Sequence, residues 1–432
     1  MRRRLLIGAA AAAIAAAALL LGGPSSRGVS GVRPETRPAE TLSAGFAAGD
    51  TASLVAQLQA GLRDRPDDVR GLDLLGLAYQ QRARETGDPS YYTKSAGVLR
   101  RALQLAPDDL DATSGLGSLA LSRHRFRDAL VLGNRAVTLS PTTARGYGVV
   151  GDALVELGRY REAFHAFDTM ARLRPGLSSY ARVSYARELL GRPDAARSAL
   201  LLALDAAVDE REPTAWTETQ FGKLELAQGR YATAAAHLQT ALHVFPGYVY
   251  ALDALAQVEA ARGNLRHASA LERRAAETIP LPQFVGYLGD LYRVTGRPRA
   301  AQAQYATVDG IRRLLEANGV RTDLETALFD VDHGVRLYAS LALARRAQQE
   351  RPSIDGDDVL AWALERNGRC SEALRYSKLA LRLATRDTAK LFHRAMIERC
   401  LGRDPRPWAR RALGLNPHFS LIWAPTLRRL SK

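Results

Sequence analysis

The sequence predicts an all-α chain, an array of antiparallel helix pairs in place of one globular core. Three observations carry this. Prolines that stop helices stand at Pro66, Pro107, Pro141, Pro175, Pro246, Pro280, Pro352 and Pro417, with gaps of 41, 34, 34, 71, 34, 72 and 65 residues. A unit of 34, single or doubled, accounts for most of them. A glycine turn recurs between the stops, as LLGRPDAA, AQGRYATA, ARGNLRHA, VTGRPRAA and RNGRCSEA. Finally, 432 residues exceed the usual size of a single core, and alanine, leucine and arginine dominate the composition.

The N-terminus stands apart from this array. Arg2, Arg3 and Arg4 precede an uncharged apolar run from Leu5 to Gly23. Residues 1–23 read as a cleaved signal peptide or an uncleaved signal-anchor helix, and either one places the remainder outside the cytoplasm. Residues 24–49, rich in Pro, Ser, Gly and Arg, read as a flexible linker. Helices begin near Thr51, after Asp50, and the repetitive region is expected over residues 50–419, with a C-terminal tail over 420–432.

The clearest unit runs from Glu156 to Pro175, ELGRYREAFHAFDTMARLRP. Gly158 supplies the left-handed residue that closes one helix. Ala163, Phe164, Phe167, Met170 and Ala171 then fall at helical spacing, and Pro175 forbids continuation. The third unit repeats small and bulky positions at Tyr147, Gly151, Ala163, Phe167 and Pro175. The second has Leu116, Gly117, Ala129, Ala136 and Pro141, and the first Leu75, Gly76, Tyr79, Leu99, Ala102 and Pro107.

This 34-residue helix-turn-helix pattern resembles the tetratricopeptide repeat (TPR). The resemblance covers some ten units after one leading helix, and implies a right-handed α-solenoid in which each unit is stabilised by its neighbours along the array, without long-range burial. The block from Asp357 to Ser420 also resembles the C-terminal part of exported bacterial repeat proteins of unassigned activity. The family's usual ligand surface is the concave groove built by the first helix of each pair. Counted outward from Gly151 and its equivalents, the groove positions are Asp152, Glu156, Lys223, Asp253, Gln257, Asp290, Arg293, Trp362, Glu365 and Arg366. They imply a protein or peptide partner, with Trp362 either anchoring it or packing against the adjoining helix.

Catalytic and cofactor signals are absent from the sequence: no zinc-protease helix, Gly-rich phosphate loop or nucleophile elbow occurs, and no cofactor or metal is expected. Asp330 and His333 share a helix face and are weighed as an acid-base or metal pair against a plain polar helix end closing on Gly334. Cys370 lies in the turn of one unit and Cys400 near the end of the first helix of the next, and they form either a disulfide or two unpaired thiols. The net charge is +15. Arg159, Arg192, Arg230, Arg297, Arg369 and Arg403 each follow a turn glycine, giving either a basic edge for acidic envelope polymer or a lipid surface, or a solvated ladder. Nucleic acid is set aside, because the chain reads as exported. The expectation is a non-catalytic, extracytoplasmic interaction scaffold.

Overall fold

The computed structural model of the protein describes residues 51–207 and 211–432; the segments 1–23 and 24–49 lie outside the described residues. Twenty-two helices follow one another among the described residues. A leading helix, α1 (Thr51–Asp64), precedes ten antiparallel pairs. These are α2 (Val69–Thr86) with α3 (Ser90–Leu105), α4 (Leu110–Ser122) with α5 (Phe126–Leu139), α6 (Ala144–Glu156) with α7 (Tyr160–Leu173), and α8 (Leu177–Leu189) with α9 (Pro193–Asp205). Then come α10 (Arg211–Ala227) with α11 (Tyr231–Val244), α12 (Val249–Ala261) with α13 (Leu265–Thr278), and α14 (Pro282–Val294) with α15 (Pro298–Ala317). The last are α16 (Asp323–His333) with α17 (Leu337–Glu350), α18 (Ile354–Arg366) with α19 (Cys370–Ala380), and α20 (Thr388–Cys400) with α21 (Arg406–Leu415), before a short α22 (Ala424–Leu430).

Local chemistry explains the boundaries. Asp68, Asp109, Ser353 and Asp387 cap the first helices of their pairs, accepting from backbone N–H groups of the opening turn. Gly158, Gly191, Gly229, Gly296 and Gly368 adopt the left-handed conformation between the two helices of a pair. Within a pair, the helices cross where a glycine meets a large side chain: a Cβ on Gly76, Gly151, Gly222 or Gly289 would overlap Leu99, Phe167, Leu238 or Tyr305. Phe167 therefore fills the crossing inside its own pair. First helices are covered on both sides, so that α12 buries every residue except Tyr250, and α18 every residue except Arg366.

Two expectations need correction. Residues 420–432 are not a free tail: α22 buries Ala424, Leu427 and Leu430 against the last units and closes the apolar core. Long-range burial is also present. The array coils tightly enough for its second superhelical turn to rest on its first. The turn at Gly87 meets Ile279, and a Cβ on Gly158 or Gly191 would strike the carbonyl of Pro352 or Ala384. The carbonyl of Arg123 accepts from the N–H of Arg321 at 3.1 Å. Tyr160 Oη accepts from the N–H of Ile354 at 2.6 Å, 194 residues away. Asn416 Nδ2 donates to the carbonyl of Leu226 at 2.8 Å, 190 residues away. Five successive intra-pair turns thus dock on five successive inter-pair loops, between five and six units further on. A solenoid repeat specifies contact with its neighbour; the pitch that brings distant units together arises from small rotations summed over many units.

Candidate functional site

Closure converts the concave groove into a bore lined by the first helices. The charged groups there are held by partners from adjacent or distant units. Asp152 accepts from Arg182 Nε at 3.0 Å and Nη2 at 2.7 Å, joining α6 to α8. Glu156 pairs with Arg351 across the two superhelical turns, and Arg351 Nη1 reaches Glu325 at 3.0 Å. Burial pushes the Glu156 carboxyl up to about 7 against the opposing pull of Arg351. Lys223 lies 5.8 Å from the centre of the Tyr250 ring; burial brings its ammonium down to about 8, while Asp253 and Glu188 favour the charge. Glu188, at the end of α8, is raised to about 7 by desolvation and by Asp387, with Lys390 opposing. Lys390 itself donates to Asp355 at 2.7 Å and Asp387 at 3.0 Å.

The predicted groove positions separate accordingly. Asp152, Lys223, Asp290, Arg293 and Arg366 retain exposure, whereas Glu156, Asp253, Gln257, Trp362 and Glu365 are buried. Gln257 Nε2 donates to Asp253 at 3.0 Å. Trp362 is 0% exposed, donates its indole N–H to Asp332 at 2.9 Å and stacks on His393, so of its two readings the packing one holds. Arg366 lies over the rings of Trp362 and Trp423. Arg351, Lys390, Glu188 and Arg84 were missed. Their signal is a charged residue on an otherwise apolar first helix or its flanking loop, at positions that count only once the pitch is known.

Asp330 and His333 do not converge. Asp330 accepts from Arg336 Nη2 at 2.7 Å and lies 3.5 Å from Arg312 Nη1. His333 donates through Nδ1 to the carbonyl of Phe329 and places Nε2 2.8 Å from Asp290. Gly334 closes the helix in the left-handed conformation, which is the polar helix-end reading. Among the described residues no group of three or more His, Cys, Asp or Glu could hold a metal ion. Cys370 and Cys400 are joined by a disulfide with their Cα atoms 5.8 Å apart. Arg159, Arg192, Arg230, Arg297 and Arg369 stand at the N-cap positions of the second helices without a side-chain capping hydrogen bond, where a cation opposes the helix dipole, and neighbouring acids pair with most of the turn arginines. Arg159 pairs with Glu162, Arg230 with Glu225 and Arg369 with Glu372, and Arg403 lies 3.7 Å from Glu398. This edge is not a free basic ladder.

The described chain is an all-α solenoid of tandem helix pairs. Its 34-residue units, glycine crossings and left-handed turns make it a tetratricopeptide-repeat fold. No family model and no curated protein matches the sequence. Among solved structures it is similar to TTC0263, a thermophilic TPR protein in Thermus thermophilus, with 24% identity over 47% of this chain and 98% of that one, TM-score 0.38. It is also similar to the Cut9 and Hcn1 hetero-tetramer of the APC/C, with 12% identity over 88% and 93%, TM-score 0.39. Human IFIT1 dimer with m7Gppp-AAAA has 16% identity over 78% and 77%, TM-score 0.48.

Proposed function

We propose that the chain is a non-catalytic scaffold whose bore holds an extended segment of a partner protein. One observation carries this reading: the bore keeps charged groups that packing does not require. Lys223 is displaced toward neutral pH by burial, so its charge is one that a partner's acidic group would relieve. A photo-crosslinking residue placed at Lys223 tests this in cells that make the protein. A discrete crosslinked polypeptide is expected from that site and none from Val131, which is 69% exposed on the outer surface. Equal yields from the two positions would overturn the reading.

The same proposal places the scaffold outside the cytoplasm, tethered by the N-terminal segment or released. It is supported by the apolar run from Leu5 to Gly23 and by the Cys370–Cys400 disulfide, a bond favoured in oxidising compartments. A C-terminal fusion to a reporter active only outside the cytoplasm should be active. Activity from a cytoplasm-only reporter would contradict the placement.

A further inference from the structure

Where the first superhelical turn faces the second, the bore holds a partly open cavity of about 160 Å³. Its walls come from the end of α2 and the start of α3, from the end of α4, from Tyr250 of α12, from α14, α15 and α16, and from the segment Ser420–Trp423. They are largely apolar, with Tyr92, Tyr250, Tyr287, Phe329, Leu315 and Leu421 among them. A dry protein cavity of roughly 150 Å³ takes up benzene, so this space suits one ring or a short branched chain.

Most ionised groups in the wall are matched. Asp290 accepts from Tyr305 Oη at 2.9 Å and faces His333, Arg312 lies between Asp309 and Asp330, and Glu325 meets Arg351. Arg84 differs. Its Nη2 donates to Gln81 Oε1, but Nε and Nη1 are shut from solvent and have no hydrogen-bond partner among the described residues. Glu85 is already engaged by Thr51, Gln81 and Arg82. Desolvation lowers the Arg84 pKa against the pull of the Glu212 and Glu85 carboxylates and the Tyr92 and Tyr250 phenols. A guanidinium does not shed its proton in a protein, so donors shut from solvent without a partner are a standing cost.

We propose that this cavity binds a small apolar carboxylate, with its ring or branched chain among Tyr92, Tyr250 and Phe329 and its carboxylate on Arg84. A rotation about the outer bonds of the Arg84 side chain turns the idle donors toward the ligand, and the pair gains two charge-assisted hydrogen bonds. The proposal does not rest on the bore's binding a protein segment.

Calorimetric titration of the purified full-length chain with 3-phenylpropionate and isovalerate, beside 3-phenylpropanol and 3-phenylpropylamine, tests it. One site per chain is expected, with at least one carboxylate binding about tenfold or more tighter than the alcohol and with no binding of the amine. Arg84→Met should bring the carboxylate down to the alcohol's affinity without lowering the melting temperature. If that variant fails to fold, Leu315→Trp, which fills the cavity from α15, must abolish carboxylate binding. Equal affinity for acid and alcohol, absence of binding by both carboxylates at millimolar concentration, or survival of the acid preference in either variant would overturn the assignment.

Discussion

At the scale of single residues, small side chains hold the helix crossings. Ala163 is fully buried one helical turn from Phe167, where α7 crosses α6. Ala163→Leu is expected to overpack this crossing and cost about 1–3 kcal/mol. Unchanged chemical denaturation would show that the crossing lies elsewhere. Asp73 is a residue of another kind. It is buried on α2 near Asp109 and Asp111, and desolvation followed by those two acids raises its carboxyl to about 8. The folded state therefore holds this proton more tightly than the unfolded chain. The stability it contributes is present at low pH and is lost as pH rises from the usual carboxylate range through about 8. Asp73→Asn should lie close to the native protein near pH 3 and be more stable at pH 8.5, by on the order of 1 kcal/mol or more. Parallel pH dependences of the two melting temperatures would refute this. The crossing residues were legible in the sequence because they recur every 34 positions. Asp73 was not, since nothing in its spacing reports that three carboxylates from α2 and α4 come together.

At the scale of elements, two fastenings act on the array. Arg351, between α17 and α18, joins Glu156 of α6 to Glu325 of α16 and lies over the Phe126 ring of α5. Arg351→Met leaves two carboxylates unmatched and is expected to cost roughly 3–5 kcal/mol. Adding Glu156→Gln should recover part of that loss in thermal denaturation, and strictly additive effects would show that the two side chains are not coupled. The Cys370–Cys400 disulfide staples the ninth pair to the tenth. Reduction should destabilise the chain by about 2–4 kcal/mol. Labelling under denaturing, non-reducing conditions should find no free thiol, and two labels per chain would exclude the bond. The spacing of the two cysteines pointed to neighbouring units, which is why the pair could be named in advance. Arg351 could not be, because Glu156 lies 195 residues away from it and a repeat pattern records only adjacent units.

At the scale of the molecule, closure makes the fold more than a line of stacked hairpins. Five turns resting on five loops turn an open groove into a bore, match many of its charges internally and form the cavity beside Arg84. The helix pairs, their number and their turns were legible from proline and glycine spacing. The pitch was not, because it is the sum of many small rotations, none of them tied to a single residue type.

Closure is tested most directly by the distance between spin labels placed at Arg192 and Arg386, on the exposed faces of the turn and the loop that meet at Gly191 and Ala384. Closure predicts one narrow, short separation, with the two label-bearing segments in contact. An array that does not close would hold them about 50 Å apart, the span of five to six units at 8–10 Å per packed helix, and that result would contradict the account.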